Sequence, residues 1–100
     1  MRKSILVLML VALMVTSVSA HTLFMNLYDN EDGTVTVSGM FSTGTMAANT
    51  EVRVESKEGK VLIKGKTDDD GEFEFAKPDQ PYMVVLDYGP GHVATQDGPR

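Results

Sequence analysis

The sequence predicts an all-β protein: a small immunoglobulin-like or transthyretin-like sandwich of six to seven antiparallel strands, preceded by an apolar signal helix. Three observations carry that expectation. Past residue 20 there is no helical period and no long apolar run. Short segments there alternate apolar with polar residues, the two-residue period of a strand with one buried face. Turn residues separate these segments about every ten positions, the spacing of a sandwich or small barrel.

The leader comes first. Arg2 and Lys3 precede an unbroken apolar run, Ile5 to Val15, and then Thr16-Ser17-Val18-Ser19-Ala20. A basic start, a short apolar stretch and a small-residue cleavage site make residues 1–20 an expected secretion signal, cut between Ala20 and His21. The run falls well short of the roughly 20 residues a membrane-crossing helix needs. The chain has no cysteine, so no lipid anchor follows and no disulfide can brace the fold. Residues 21–95 are then expected to form the β domain and 96–100 a polar tail, in a periplasmic or extracellular setting. Roughly eighty residues suffice for one domain, but a domain that small is only marginally stable without a metal, a partner or close sheet packing.

The strands follow in order. His21 to Tyr28 sets Leu23, Met25 and Leu27 on one face and Phe24, Asn26 and Tyr28 on the other. Asp29 to Gly33 turns the chain, and Thr34 to Phe41 alternates with Val35, Val37 and Phe41 inward. Ser42 to Thr50, rich in small residues and without period, reads as a crossing between sheets. Glu51 to Ser56 turns Val52 and Val54 inward; a turn at Lys57 to Lys60 leads into Val61 to Thr67. Asp68-Asp69-Asp70-Gly71 reads as the strongest hairpin signal in the chain, because Asp-Gly supplies the positive φ of a primed turn. Phe73 and Phe75 share a face of the next strand. After the Pro78 to Pro81 loop, Tyr82 to Tyr88 aligns Tyr82, Val84, Leu86 and Tyr88. Gly89-Pro90-Gly91 breaks that strand, and His92-Val93-Ala94 resumes pairing as a short seventh.

Charge narrows the functional classes. The leader removes two of nine cations, while all fourteen acidic residues stay. Nucleic-acid backbones and anionic membranes are poor partners for such a surface. Nucleophilic catalysis lacks its parts: there is no cysteine, and no serine stands at a recognisable spacing from a histidine. Gly71 as the sixth position of a calcium loop would put Lys66 first and Lys77 twelfth, where carboxylates belong, so Asp68 to Glu72 is a solvated turn.

Two imidazoles, His21 and His92, offer more. Cleavage after Ala20 would make His21 the amino terminus, whose α-amine and ring Nδ1 can chelate one ion. That amine titrates near 7.7–8.0, so a metal displaces its proton at neutral pH. His92 as a third nitrogen would complete a histidine-brace site for Ni(II), Co(II) or Cu(II). The plainer readings are a solvated terminal histidine and a histidine that caps a loop. Among the methionines, Met25 and Met83 fall at strand positions and fill core. Met40 and Met46, beside the crossing, are the better thioether ligands for Cu(I).

From Val52 to His92, the chain resembles the small extracytoplasmic accessory subunit of nickel and cobalt uptake transporters of the energy-coupling-factor type. The residues that carry the likeness are Val52-Arg53-Val54-Glu55, Thr67-Asp68-Asp69-Asp70-Gly71-Glu72-Phe73 and Asp87-Tyr88-Gly89-Pro90-Gly91-His92, together with the opening His21-Thr22-Leu23-Phe24. The Thr-Asp-Asp-Asp-Gly-Glu-Phe piece is shared with carboxypeptidase-regulatory-like sandwiches and bears on fold. The ending at His92 bears on function. The resemblance implies nickel or cobalt handling, a membrane transporter component as partner, and His21 and His92 as the metal residues. Such subunits often continue into a membrane helix, whereas this sequence stops at Arg100, which leaves room for a soluble carrier. The competing expectation is a structural or interaction module without a metal. An oxidative copper enzyme is a third reading, for which so small a domain offers little platform.

Overall fold

The computed structural model describes residues 22–100; the expected signal segment 1–20 and His21 lie outside the described residues. Within them the chain is all-β, seven antiparallel strands in two facing sheets. They are β1 (Leu23–Asp29), β2 (Thr34–Phe41), β3 (Glu51–Ser56), β4 (Val61–Lys66), β5 (Glu72–Ala76), β6 (Tyr82–Gly89) and β7 (His92–Asp97). One sheet has the order β1-β2-β5 and the other β4-β3-β6-β7. β1 lies against β7 along one side of the sandwich and β4 against β5 along the other.

Alternation decides which side chains meet between the sheets. Val35 and Val37 from β2, Val52 and Val54 from β3, and Val84 and Leu86 from β6 are fully buried. Opposite residues keep that parity in both ladders: Val35 pairs with Phe75 and Val37 with Phe73, while Val52 pairs with Leu86 and Val54 with Val84. Burying each such side chain contributes about 1.5–3 kcal/mol before the entropy cost of ordering it.

The turn at Asp68 to Gly71 departs from the hairpin expected of it. The positive φ is there, +78° at Gly71, but the primed turn is not: the Gly71 N–H donates to the Asp68 carbonyl at 3.0 Å, which makes Asp69 and Asp70 the central residues, and neither has a positive φ, while Asp68 Oδ1 accepts from Asp70 and Glu72 N–H. β4 and β5 also belong to different sheets, so the turn arches across the core. The reason lies at Gly65. A Cβ there would stand 2.4 Å from Phe73 Cε1. The ring from the opposite sheet thus packs on the bare Gly65 backbone, so β4 and β5 meet through side chains and not through a ladder.

Ser42 to Thr50 crosses between the sheets as expected, and it is pinned from beneath. Buried Thr67 donates its hydroxyl to the Ala47 carbonyl at 2.6 Å and accepts from the Thr50 N–H at 2.8 Å. Pairing also continues beyond residue 95, through Val84 with Gln96 and Met83 with Asp97. The seventh strand is therefore six residues long, and the last residues pack on Tyr82, whose hydroxyl donates to the Pro99 carbonyl at 2.6 Å.

Candidate functional site

Antiparallel pairing brings the start of β1, the end of β2, the end of β6 and the start of β7 to one pole of the sandwich. His92 stands there because of the turn before it. Gly89-Pro90-Gly91-His92 has proline second and a glycine with φ +82° third, the pattern of a type II turn. Such a turn does not match the twist of a hairpin, and the ladder compensates. Asp87 pairs with Val93 and Gly89 with His92, so Tyr88 is an extra, unpaired residue in a bulge. Bulges re-aim side chains.

The re-aimed Tyr88 ring meets Phe41 edge to face, with centroids 4.8 Å apart. Each of these rings also meets the His92 imidazole edge on, at 6.1 Å from Phe41 and 6.2 Å from Tyr88. Three rings from three strands therefore hold one another in place. Asp87 secures the same turn, because its carboxylate accepts from the Gly89 N–H and from Arg53 Nη1, both at 3.0 Å. The Arg53 guanidinium holds the Asp87 carboxyl below the usual aspartate range. Arg53 also pairs with Glu51 and Glu55.

Between the rings and the loop after β2 lies an open cleft of about 290 Å³, lined by Phe41, Thr43, Thr45, Tyr88 and His92. One of its lining residues is chemically unfinished. His92 Nδ1 is buried and has no hydrogen-bond partner. A buried ring nitrogen without a partner costs about 1–3 kcal/mol unless something supplies one. A coordinated cation is one such group, so the imidazole fits a metal ion as a single nitrogen donor. Among the described residues no group of three or more histidines and carboxylates gathers around a common point. Any ion at this cleft would draw its other ligands from beyond these side chains.

Thr22, where the described chain begins, stands at this pole. Its N–H donates to Ser42 Oγ at 3.1 Å, and its carbonyl accepts from the Ser42 N–H at 2.8 Å. Ser42 follows Phe41 directly. Of the two metal residues expected from sequence, His92 is thus in the cleft, and His21 precedes the first described residue. Met40 and Met46, expected as thioether ligands, face each other as an isolated antiparallel bridge at the same pole. Phe41, Tyr88, Thr43 and Thr45 are the cleft residues that sequence reasoning did not single out. The inward parity of Phe41 and Tyr88 at the ends of their strands was the available signal. Compared with protein-family models, curated proteins and solved structures, the chain matches none.

Proposed function

We infer that this chain is an exported accessory protein that binds a divalent transition metal, nickel or cobalt with copper(II) also accommodated, and delivers it to a membrane transporter component. The chemistry is reversible coordination without turnover. His92 contributes an imidazole nitrogen, and the freed amine and ring of His21 contribute the rest. Phe41 and Tyr88 keep the His92 ring from rotating away, and the Gly89-Pro90-Gly91 turn fixes its backbone. The observation that carries this reading is that His92, which lines an open cleft beside which the described chain begins, has a buried ring nitrogen without a partner. The strand order further supports an immunoglobulin-like sandwich whose fourth strand has joined the sheet opposite to its place in the constant-type order.

Calorimetric titration of Ni(II) into protein with an unblocked His21 tests the proposal. One-to-one binding is expected. Affinity should fall about tenfold or more on His92→Ala, and by a similar factor when one extra residue precedes His21. Heat unchanged by both alterations together would remove the site. A second reading, an interaction module without a metal, draws on Phe24 and Tyr28, each about half exposed on the outer face of edge strand β1. Absence of any saturable binding of Ni(II), Co(II) or Cu(II) would favour it.

A further inference from the structure

The outer face of the β1-β2-β5 sheet carries a second arrangement with coordination chemistry of its own. Met40 lies on that face by alternation, since its neighbours in parity are the half-buried Thr34, Thr36 and Ser38, not the buried Val35, Val37 and Gly39. Met46 pairs with it across the isolated bridge. The flanking bonds identify the type of pair: Phe41 N–H donates to Thr45 O at 2.8 Å, and Ala47 N–H donates to Gly39 O at 2.9 Å. Met40 and Met46 are therefore directly opposed without bonding each other's backbones. In such a pair the side chains share a face and stand closest, with Cβ atoms about 4.5–5.5 Å apart.

Two thioethers from opposed strands are thus held on a scaffold that limits their separation. Phe24, 52% exposed, is the partner of Met40 on its other side, in β1. Met46 is 44% exposed and so does not serve as core filler. Its backbone is fixed, because the next residue, Ala47, is fully buried and its carbonyl is held by Thr67. The acidic arch is adjacent: a Cβ on Gly71 would stand 3.3 Å from Met46 Cβ, and Asp70 and Glu72 flank that glycine in sequence. Soft sulfur donors favour a soft monovalent cation over a hard divalent one, and the aromatic neighbour attracts a cation of either kind.

We propose that Met40 and Met46 form a thioether site for Cu(I) or its surrogate Ag(I), on the outer face of the sandwich and separate from the His92 cleft. The site needs no proton release, because thioethers carry none. Its occupancy is therefore insensitive to pH over the range in which imidazoles and amines titrate.

The test is titration of Ag(I), and of Cu(I) under anaerobic reduction against a chromophoric chelator, with the methionine methyl resonances followed by NMR. The chain is recovered from an exporting host and sized by mass spectrometry. The Met40 and Met46 methyls should move together at one equivalent. Met40→Leu combined with Met46→Leu, which conserves volume, should weaken binding about tenfold or more, while His92→Ala should leave it within about twofold. The amide spectrum of the double variant reports that it is folded. Unaltered affinity in the double variant, movement of the Met25 and Met83 methyls instead, or loss of binding on His92→Ala would each overturn the assignment.

Discussion

β6 carries a tyrosine near each end, and the two have opposite fates. Tyr82 is 1% exposed, packs edge to face on Phe75 with centroids 6.0 Å apart, and spends its hydroxyl on the Pro99 carbonyl. Burial raises its pKa. Around it the pole is closed by charge: Lys77 reaches Asp29 and Lys57 reaches Asp97, both at 2.6 Å. Tyr88 is 54% exposed, stands in a bulge and helps wall an open cleft. One pole of the sandwich is plugged and latched, whereas the other keeps its aromatic rings at a water-accessible mouth. The closed, latched end and the open cleft are therefore placed at opposite ends of the same strands, and a change at one end should be felt little at the other.

The largest expected effect comes from removing the plug. Tyr82→Ala should cost about 3–5 kcal/mol in denaturant unfolding, while Tyr88→Ala should cost about 1 kcal/mol or less. Equal losses would erase the distinction between the poles. Thr67→Val sharpens the comparison from the side of the crossing segment. It leaves the Ala47 carbonyl and the Thr50 N–H without their buried partner, for an expected loss of about 1–3 kcal/mol by thermal or urea melts. Because the crossing holds Met46, the same variant should also broaden the Met46 methyl resonance. The smallest effect concerns acid. Asp29 and Asp87 are both held below the ordinary value of 3.8, Asp29 chiefly by its hydrogen bond with Lys77 and Asp87 chiefly by that with Arg53. Folding thus depresses these pKa values, so the stability they add is present above about pH 4 and is lost as pH falls through the folded-state values. Stability should be level from neutrality down to that range and then decline. Asp29→Asn and Asp87→Asn should each flatten the decline, and a fall already complete at pH 6 would rule these carboxylates out as its cause.

The strands were legible because a two-residue period survives in the sequence: Val35, Val37, Val52, Val54, Val84 and Leu86 could be placed on inner faces without knowing their partners. Turn chemistry was less informative than it looked. Asp70-Gly71 announces a positive φ, and the positive φ is there, but nothing local says whether the next strand pairs with the last one or crosses to the other sheet. That depends on Phe73 finding Val37 as its ladder neighbour and the bare Gly65 backbone across the core. At the candidate site, His92 was legible because imidazoles are scarce and a rigid turn leads into it. Its ring neighbours were not, since contacts among Phe41, Tyr88 and His92 join the ends of strands from both sheets, and strand order had to be known first.

The two Ser42 hydrogen bonds to Thr22 place the amino-terminal side of the domain at the rim of the cleft, whereas Pro99 lies under Tyr82 at the far pole. The molecule is in this sense polarised along its strands. Fastened to a surface through Arg100, it would hold its open cleft outward and unobstructed; fastened through residues ahead of Thr22, it would turn the cleft toward its own support.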